Sequence, residues 1–417
     1  MKRQLTAGAA VGVAALIALA GCGSSSSGPS SSSGTTTLTF FGADYGTGPS
    51  TSTTKYWDAI ASAFHKANPK ITVNVQTVNW TDFPDKVQTL IQNKQFPDIL
   101  EGDTAPQFAQ SHLLYKSSDV LTNISNIMPK FLADTDYQGI PYGIPFTTST
   151  RVIYYNKKIF AAAGISSPPQ TWAQLKSDAA TIKKKTGDTG YGLPLGSEEA
   201  QAESLMWFLG NGGGYQTASG QYDISSTQNV QTFQFLQQLV QAGDTQPSPG
   251  TTDRKDVWAQ FAAGKIGMVG GQPALIPIIQ QAGALKSSDY ATATFPGKNG
   301  PLTSTLGVHD DIVAFNTGGH QAAIKKFLDF AYQDKYQLQF ASEYDLLPAT
   351  LSGATAMQSA NSTFAPFFKN ITTSVNYPSK TNWTTVENQL KTTIGQAVSG
   401  NPQQVLNAIQ HTATSGS

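Results

Sequence analysis

Residues 57–100 read WDAIASAFHKANPKITVNVQTVNWTDFPDKVQTLIQNKQFPDIL, and this stretch decides the fold class. Trp57, Ile60, Ala61 and Phe64 recur at helical spacing, and Pro69 stops the pattern. Ile71, Val73 and Val75 then alternate with Thr72, Asn74 and Gln76, the mark of a strand with one buried face. Phe83, Val87, Leu90 and Ile91 return to helical spacing, and Pro97-Asp98-Ile99-Leu100 opens another strand. Just upstream, Leu38 to Phe41 is a short apolar strand ending in a Gly42-Ala43-Asp44-Tyr45-Gly46 turn. Strands alternating with helices of this length predict an α/β fold built of βαβ units, with a mainly parallel sheet.

A second series begins near Arg151. Val152 to Tyr155 is an apolar strand, Asn156 is placed to end it and start a turn rather than to contact ligand, and Gly164 reads as the residue just past a helix end. Thr171 and Gln174 form a capping box that opens a helix through Leu175, Ala179 and Ile182. Another helix carries Val230, Phe233, Leu236 and Val240, and Lys265 to Gly270 reads as a buried strand after a turn at Gly264. Pro141 and Pro145 stiffen the stretch entering this series. Two α/β series joined by extended segments predict two lobes with a ligand cleft between them.

The N-terminus is organised differently. Lys2 and Arg3 precede an apolar stretch from Ala7 to Ala20, the layout of a secretory signal and too short to span a membrane. The single cysteine follows at Leu19-Ala20-Gly21-Cys22, which resembles the lipobox of bacterial lipoproteins. That resemblance makes Cys22 the expected lipidation site and 1–21 the leader. Residues 22–37 then read as an anchor and flexible linker, GSSSSGPSSSSGTTT after the cysteine, with a reach of roughly 20 Å. The expected location is extracytoplasmic, with the membrane touched through the lipid anchor alone.

About 380 residues remain, enough for two domains. Lys and Arg number 27, as do Asp and Glu, and losing Lys2 and Arg3 with the leader takes the net charge from zero to −2. No basic cluster exceeds Lys183-Lys184-Lys185, which reads as a solvated helix face, so no nucleic acid partner is expected. With Cys22 acylated no thiol remains, so neither disulfides nor cysteine–metal sites are expected. The five histidines are scattered, His309 beside Asp310 is a weak metal hint, and neither a metal nor a cofactor is expected.

Several segments together resemble the family 1 extracellular solute-binding proteins, the carbohydrate-binding subunits of ABC importers. FHKANPKITVNV and FPDIL are similar to the family's early elements. The most specific match is residues 140–175, IPYGIPFTTSTRVIYYNKKIFAAAGISSPPQTWAQL. FAAGKIGMVGG at 261–271 and AAIKKFLDFAYQDKYQLQFASEYDLLPAT at 322–350 follow in the family's order. The resemblance spans about Leu38 to Ile409. It implies a two-lobed periplasmic-binding-protein-like fold, a monomer, a mono- or oligosaccharide ligand captured by hinge closure, and ABC transporter permease subunits as partners. The first lobe is expected from 38–148 with 309–350, the second from 149–308 with 351–417.

Sugars present hydroxyls all round and apolar faces, so paired donors and acceptors and aromatic rings should meet them. Ligands of open α/β sheets sit beyond the carboxyl ends of strands, which picks Asp44, Tyr45, Asp103 and Gln272; each could instead be a turn residue. The resemblance adds Trp383, as a stacking ring or as the core-facing start of a helix, and Glu203 in the helix before Gly212, with Trp207 as core. Asp310 or Asp311 should hydrogen-bond hydroxyls where the chain returns to the first lobe. Arg151 should contact ligand or pair with a carboxylate across the hinge. Relatives often carry a tryptophan where this chain has Ala274, so a maltose-type stacking geometry does not carry over.

Other classes fit less well. A secreted carbohydrate-active hydrolase needs a spaced carboxylate pair, and Asp310-Asp311 as strand neighbours face opposite sides. Neither a Gly-x-Ser-x-Gly elbow nor a His-Glu-x-x-His helix is present. A glycan adhesin would be expected to show repeats, and none is found. The expectation is a binding protein, not an enzyme.

Overall fold

The computed structural model describes residues 34–415, except 47, 49–50, 81, 103–106, 361–363 and 381. Cys22 and Asp103 lie outside the described residues. The described residues begin with β1 (Thr36–Asp44), the helix Thr53–Ala67 and β2 (Ile71–Asn79). The helix Phe83–Gln92 and β3 (Ile99–Gly102) complete the first βαβαβ run. A short ribbon, β4 (Asp136–Tyr137) with β5 (Ile140–Pro141), leads into β6 (Gly143–Thr150). Then come β7 (Val152–Asn156), β8 (Thr189–Gly192), β9 (Ile266–Gly271), β10 (Tyr290–Ala293), β11 (Gly307–Ala314) and β12 (Leu347–Pro348).

Two main sheets result. One has six strands in the order β12-β6-β11-β3-β1-β2, the other four in the order β10-β7-β9-β8. The first sheet is mixed, against the expectation of a mainly parallel one. β1 pairs β2 and β3 in parallel, but β11 runs antiparallel to β3 and β6, and β12 antiparallel to β6. In the second, β8–β9 is parallel while β7–β9 and β10–β7 are antiparallel. The physical reason is the traffic between sheets. β6 runs with β1–β3 and leads into β7, which enters the second sheet against β8 and β9, while β11 returns from the second sheet and enters the first against β3 and β6.

Both faces of each sheet are covered, as the strand composition requires. Along β1, Leu38 and Phe40 join one core with Trp57, Ile60, Phe64 and Phe327, while Phe41 and Ala43 join another with Phe83 and Leu100. Along β7, Ile153 faces Trp172, Leu175 and Trp207, while Val152 and Tyr154 face Trp258 and Phe261. Trp57 and Trp207 are fully buried, each burial contributing about 2–3 kcal/mol.

Local signals act as their chemistry dictates. Asn156 accepts from the Lys158 and Ile159 amides, and Thr171 and Gln174 form the reciprocal capping box. Gly164 ends its helix at φ +74°, where a side chain would be strained.

The chain passes between sheets at three places, and these are hydrogen-bonded to one another. Thr305 Oγ1 accepts from the Arg151 amide at 3.0 Å and donates to the Arg151 carbonyl at 2.8 Å. The Val375 amide donates to Thr305 O, and the Gly307 amide donates to Val375 O. Between β12 and Val375, the described residues of 351–360 and 364–373 pack on both sides. Met357 and Phe367 join Tyr154 and Trp258, whereas Ala354 and Ile371 join Met128 and Phe131.

Candidate functional site

Two polar sets stand beside these crossings. The first is built at the carboxyl ends of β1 and β3. Tyr45, just past β1, places its hydroxyl 2.8 Å from Glu101 Oε1 and 2.8 Å from Asp310 Oδ2. Its ring is held edge-on by Trp80 and Phe340, with Tyr344 alongside. Glu101 is fully buried, whereas Tyr45 and Asp310 are half-buried. Burial first, then Asp310 and Glu101 beside it, keep the Tyr45 hydroxyl protonated far above its usual range. The register of β11 against β6 slips between Asp310 and Asp311, so the plain alternation assumed for this pair is broken by a bulge. Asp311 turns to His309, whose Nδ1 lies 2.7 Å from Asp311 Oδ1 and whose Nε2 meets Asn376 on the third crossing.

The second set surrounds a partly open cavity of about 20 Å³, room for about one water, lined by Arg151, Glu199, Glu203, Arg254, Trp258 and Phe295. Arg151 donates to Glu199 at 2.9 Å and to Ser149 at 3.1 Å. Arg254 pairs with both Glu199 and Glu198 and lies over the Trp258 ring, 4.6 Å from its centroid. The sequence contains three arginines, and the two among the described residues, Arg151 and Arg254, both converge on Glu199. Burial opposes ionisation of Glu199, yet Arg254 and Arg151 hold its carboxyl below the usual range. Glu203 sits one turn on. Burial raises its carboxyl to about 7 although Trp207 Nε1 and Tyr191 OH both donate to Oε1 at 2.8 Å.

The expected site residues thus separate. Tyr45 and Asp310 meet in the first set, and Arg151 and Glu203 line the cavity of the second. Asp44 turns its carboxylate into its own loop, accepting from the Gly46 and Thr53 amides and the Ser52 and Thr53 hydroxyls. Gln272 follows β9, and its carbonyl accepts from Tyr154 OH at 3.0 Å. Trp383 opens the helix Trp383–Thr393, half-buried, stacked on Tyr377 at 5.5 Å and tilted against Tyr215 at 5.5 Å. Tyr377 OH is buried without a hydrogen-bond partner.

Glu101, Glu199 and Arg254 were missed from sequence. Arginine scarcity was the available signal for Arg254; Glu101 is the last polar residue of β3, two positions before Asp103. Among the described residues no group of three His, Cys, Asp or Glu is placed to hold a metal, and no helix is long and apolar enough to cross a membrane.

The family model for bacterial extracellular solute-binding proteins matches residues 48–338. The chain belongs to that family. A putative binding protein of Brucella abortus is 29% identical to this family member over 308 residues, covering 72% of this chain and 74% of the relative. A diacetylchitobiose binding protein of Streptomyces coelicolor, DasA, is 27% identical over 382 residues, covering 86% of each. An ABC transporter solute-binding protein of Thermotoga lettingae, solved with α-D-tagatose, superposes with a TM-score of 0.76 at 20% identity, covering 91% of this chain and 99% of its own. That likeness shows the fold, the two-lobed architecture of solute-binding proteins.

Proposed function

We propose that this solute-binding protein captures a neutral sugar or oligosaccharide between its two lobes and delivers it to the permease of an ABC importer. The lobes are 38–148 with 309–350 and 149–308 with 351–417. Cys22 carries the lipid that tethers them to the outer face of the cell membrane. The role is capture without turnover, and the protein works as a monomer.

The observation that carries this reading is the pair of polar sets on opposite sides of the three crossings. Tyr45 and Asp310 stand on the first lobe, and Arg151 and Glu203 beside the second-lobe cavity. Gln272, at the end of β9, and the Trp383 ring on its aromatic bed add to the second-lobe wall; Asp103, outside the described residues, is kept as a ligand contact on the sequence argument alone. Asp44 shapes the loop that presents Tyr45. A ligand touching both walls makes its full contacts in a closed form alone, so binding draws the lobes together. Neutral ligands are favoured because Glu198 and Glu199 already offset Arg254 and Arg151. The sugars named for DasA and the Thermotoga protein, diacetylchitobiose and tagatose, are of this uncharged class.

Isothermal calorimetry of protein lacking residues 1–37, against neutral mono- and oligosaccharides and their phosphates, tests the ligand class. Binding of a neutral sugar with no binding of its phosphate is expected, with a smaller radius of gyration by small-angle scattering at saturation. Preference for the phosphate, or an unchanged profile with a confirmed ligand, overturns the reading.

A further inference from the structure

The Tyr45 hydroxyl carries one hydrogen, yet it lies within hydrogen-bond distance of two carboxyl oxygens. A hydroxyl offers one donor and two acceptor lone pairs. It can donate fully to one carboxylate; the other contact is favourable only if that carboxyl carries a proton and Tyr45 accepts. Glu101 is the one placed to carry it. Its side chain is fully buried, Oε2 has no hydrogen-bond partner, and an ionised carboxylate there would be an uncompensated charge in a low-dielectric interior.

The Tyr45 hydroxyl and the Ala43 amide favour the ionised form of Glu101, but burial and Asp310 outweigh them. β1 brings Tyr45, β11 brings Asp310 and Asp311, the helix Thr53–Ala67 brings Tyr56, and Tyr332 closes the far side; each is acidic or neutral. Burial, and then Asp310, push the Glu101 carboxyl well above the usual range. Asp310, by contrast, is half-exposed.

We propose that Glu101 is held as the neutral acid and donates to Tyr45, which in turn donates to Asp310, so that the first-lobe wall carries a proton relay with a single negative charge. This rests on placing Tyr45 and Asp310 at the ligand wall. Glu101 is then a positioning residue. Its proton fixes the direction of the Tyr45 O–H and leaves Asp310 as an acceptor for a sugar hydroxyl. Ionising Glu101 adds a second charge and sets two acceptors competing for one hydrogen, so capture weakens as pH rises through the Glu101 transition.

The test has a ligand-free arm. Carboxyl carbon NMR of glutamate-labelled apo protein should show at pH 7 a protonated glutamate resonance that Glu101→Gln removes, with the Glu203 signal assigned by Glu203→Gln. A Glu101 carboxyl in the ionised position at pH 7 overturns the relay. The binding arm uses tagatose, maltose and diacetylchitobiose as probes. For any that binds, wild-type affinity should fall by up to about tenfold per pH unit above the transition. Glu101→Gln, whose amide can also donate to Tyr45, should be flat. Equal pH dependence in the two proteins overturns the linkage. If no probe binds, the sugar reading fails, and the resonance alone decides the relay.

Discussion

Replacing Glu199 with glutamine removes the carboxylate that Arg151 and Arg254 share. The side chain of Arg151 is 7% exposed, that of Glu199 20% and that of Arg254 23%, so these charges are shielded from water without being fully excluded from it. Breaking a buried pair costs about 3–5 kcal/mol and an exposed one about 0–1 kcal/mol. Arg254 retains Glu198 and Arg151 retains Ser149, which lowers the penalty, so about 2–3 kcal/mol is expected. An unfolding entropy of about 2.1 cal/mol/K per residue over the described residues gives about 0.8 kcal/mol/K, and hence a fall in Tm of about 3–4 °C. Scanning calorimetry against pH checks the cause as well as the size. A carboxyl held below its usual range contributes stability above the unfolded pKa, about 4.3, and loses it as pH falls through the lowered folded value. The gap between wild type and Glu199→Gln should therefore be full at pH 7 and shrink below about pH 4. A gap under about 0.5 kcal/mol at pH 7, or one that widens on acidification, refutes the ion-pair account.

Three further outcomes are expected. Trp383→Ala should weaken sugar binding by about one to two orders of magnitude while costing under about 2 kcal/mol of stability, since the ring is half-buried; calorimetry and melting read together would return Trp383 to a purely structural role if melting falls and affinity in the folded fraction does not. Glu203→Gln should flatten the pH dependence of stability between about pH 5 and 8, because a carboxyl raised to about 7 stabilises the fold below the unfolded pKa and loses that contribution as pH rises through 7; equal slopes in urea titrations of the two proteins would exclude this. Cys22→Ser should release the protein from the membrane fraction, and an intact mass showing an unmodified Cys22 would remove the anchor.

The fold was legible because its signals are local. Helical spacing at Trp57, Ile60 and Phe64, alternation at Ile71 to Val75, and the cap at Thr171 each report a single element whose backbone they largely determine. Strand direction is different. Whether β11 lies parallel or antiparallel to β3 depends on where the chain has been for the preceding 150 residues or so, which no periodicity records. The site was half legible for the same reason. The carboxyl-end rule reached Tyr45, because its position follows from one strand. It could not distinguish Asp44, whose carboxylate is consumed by four donors in its own loop, from its neighbour. Nor could it find Glu199, which matters through arginines 48 and 55 positions away.

The crossings connect that topology to function. Thr305 ties the first crossing to the second through both the Arg151 amide and carbonyl, and Val375 ties the third to the second through backbone bonds on each side. At Gly307 a side chain has no room, since an added Cβ would lie 2.6 Å from Ser374 Oγ and 2.9 Å from Phe131. The three segments therefore act as one seam, and a lobe rotation that parted them would cost buried backbone hydrogen bonds. Closure is left with bending along the seam, which carries Asp310, three residues past Gly307, towards a wall anchored at Arg151. The antiparallel returns that made the sheets mixed are thus also what brings the two polar sets to the same hinge.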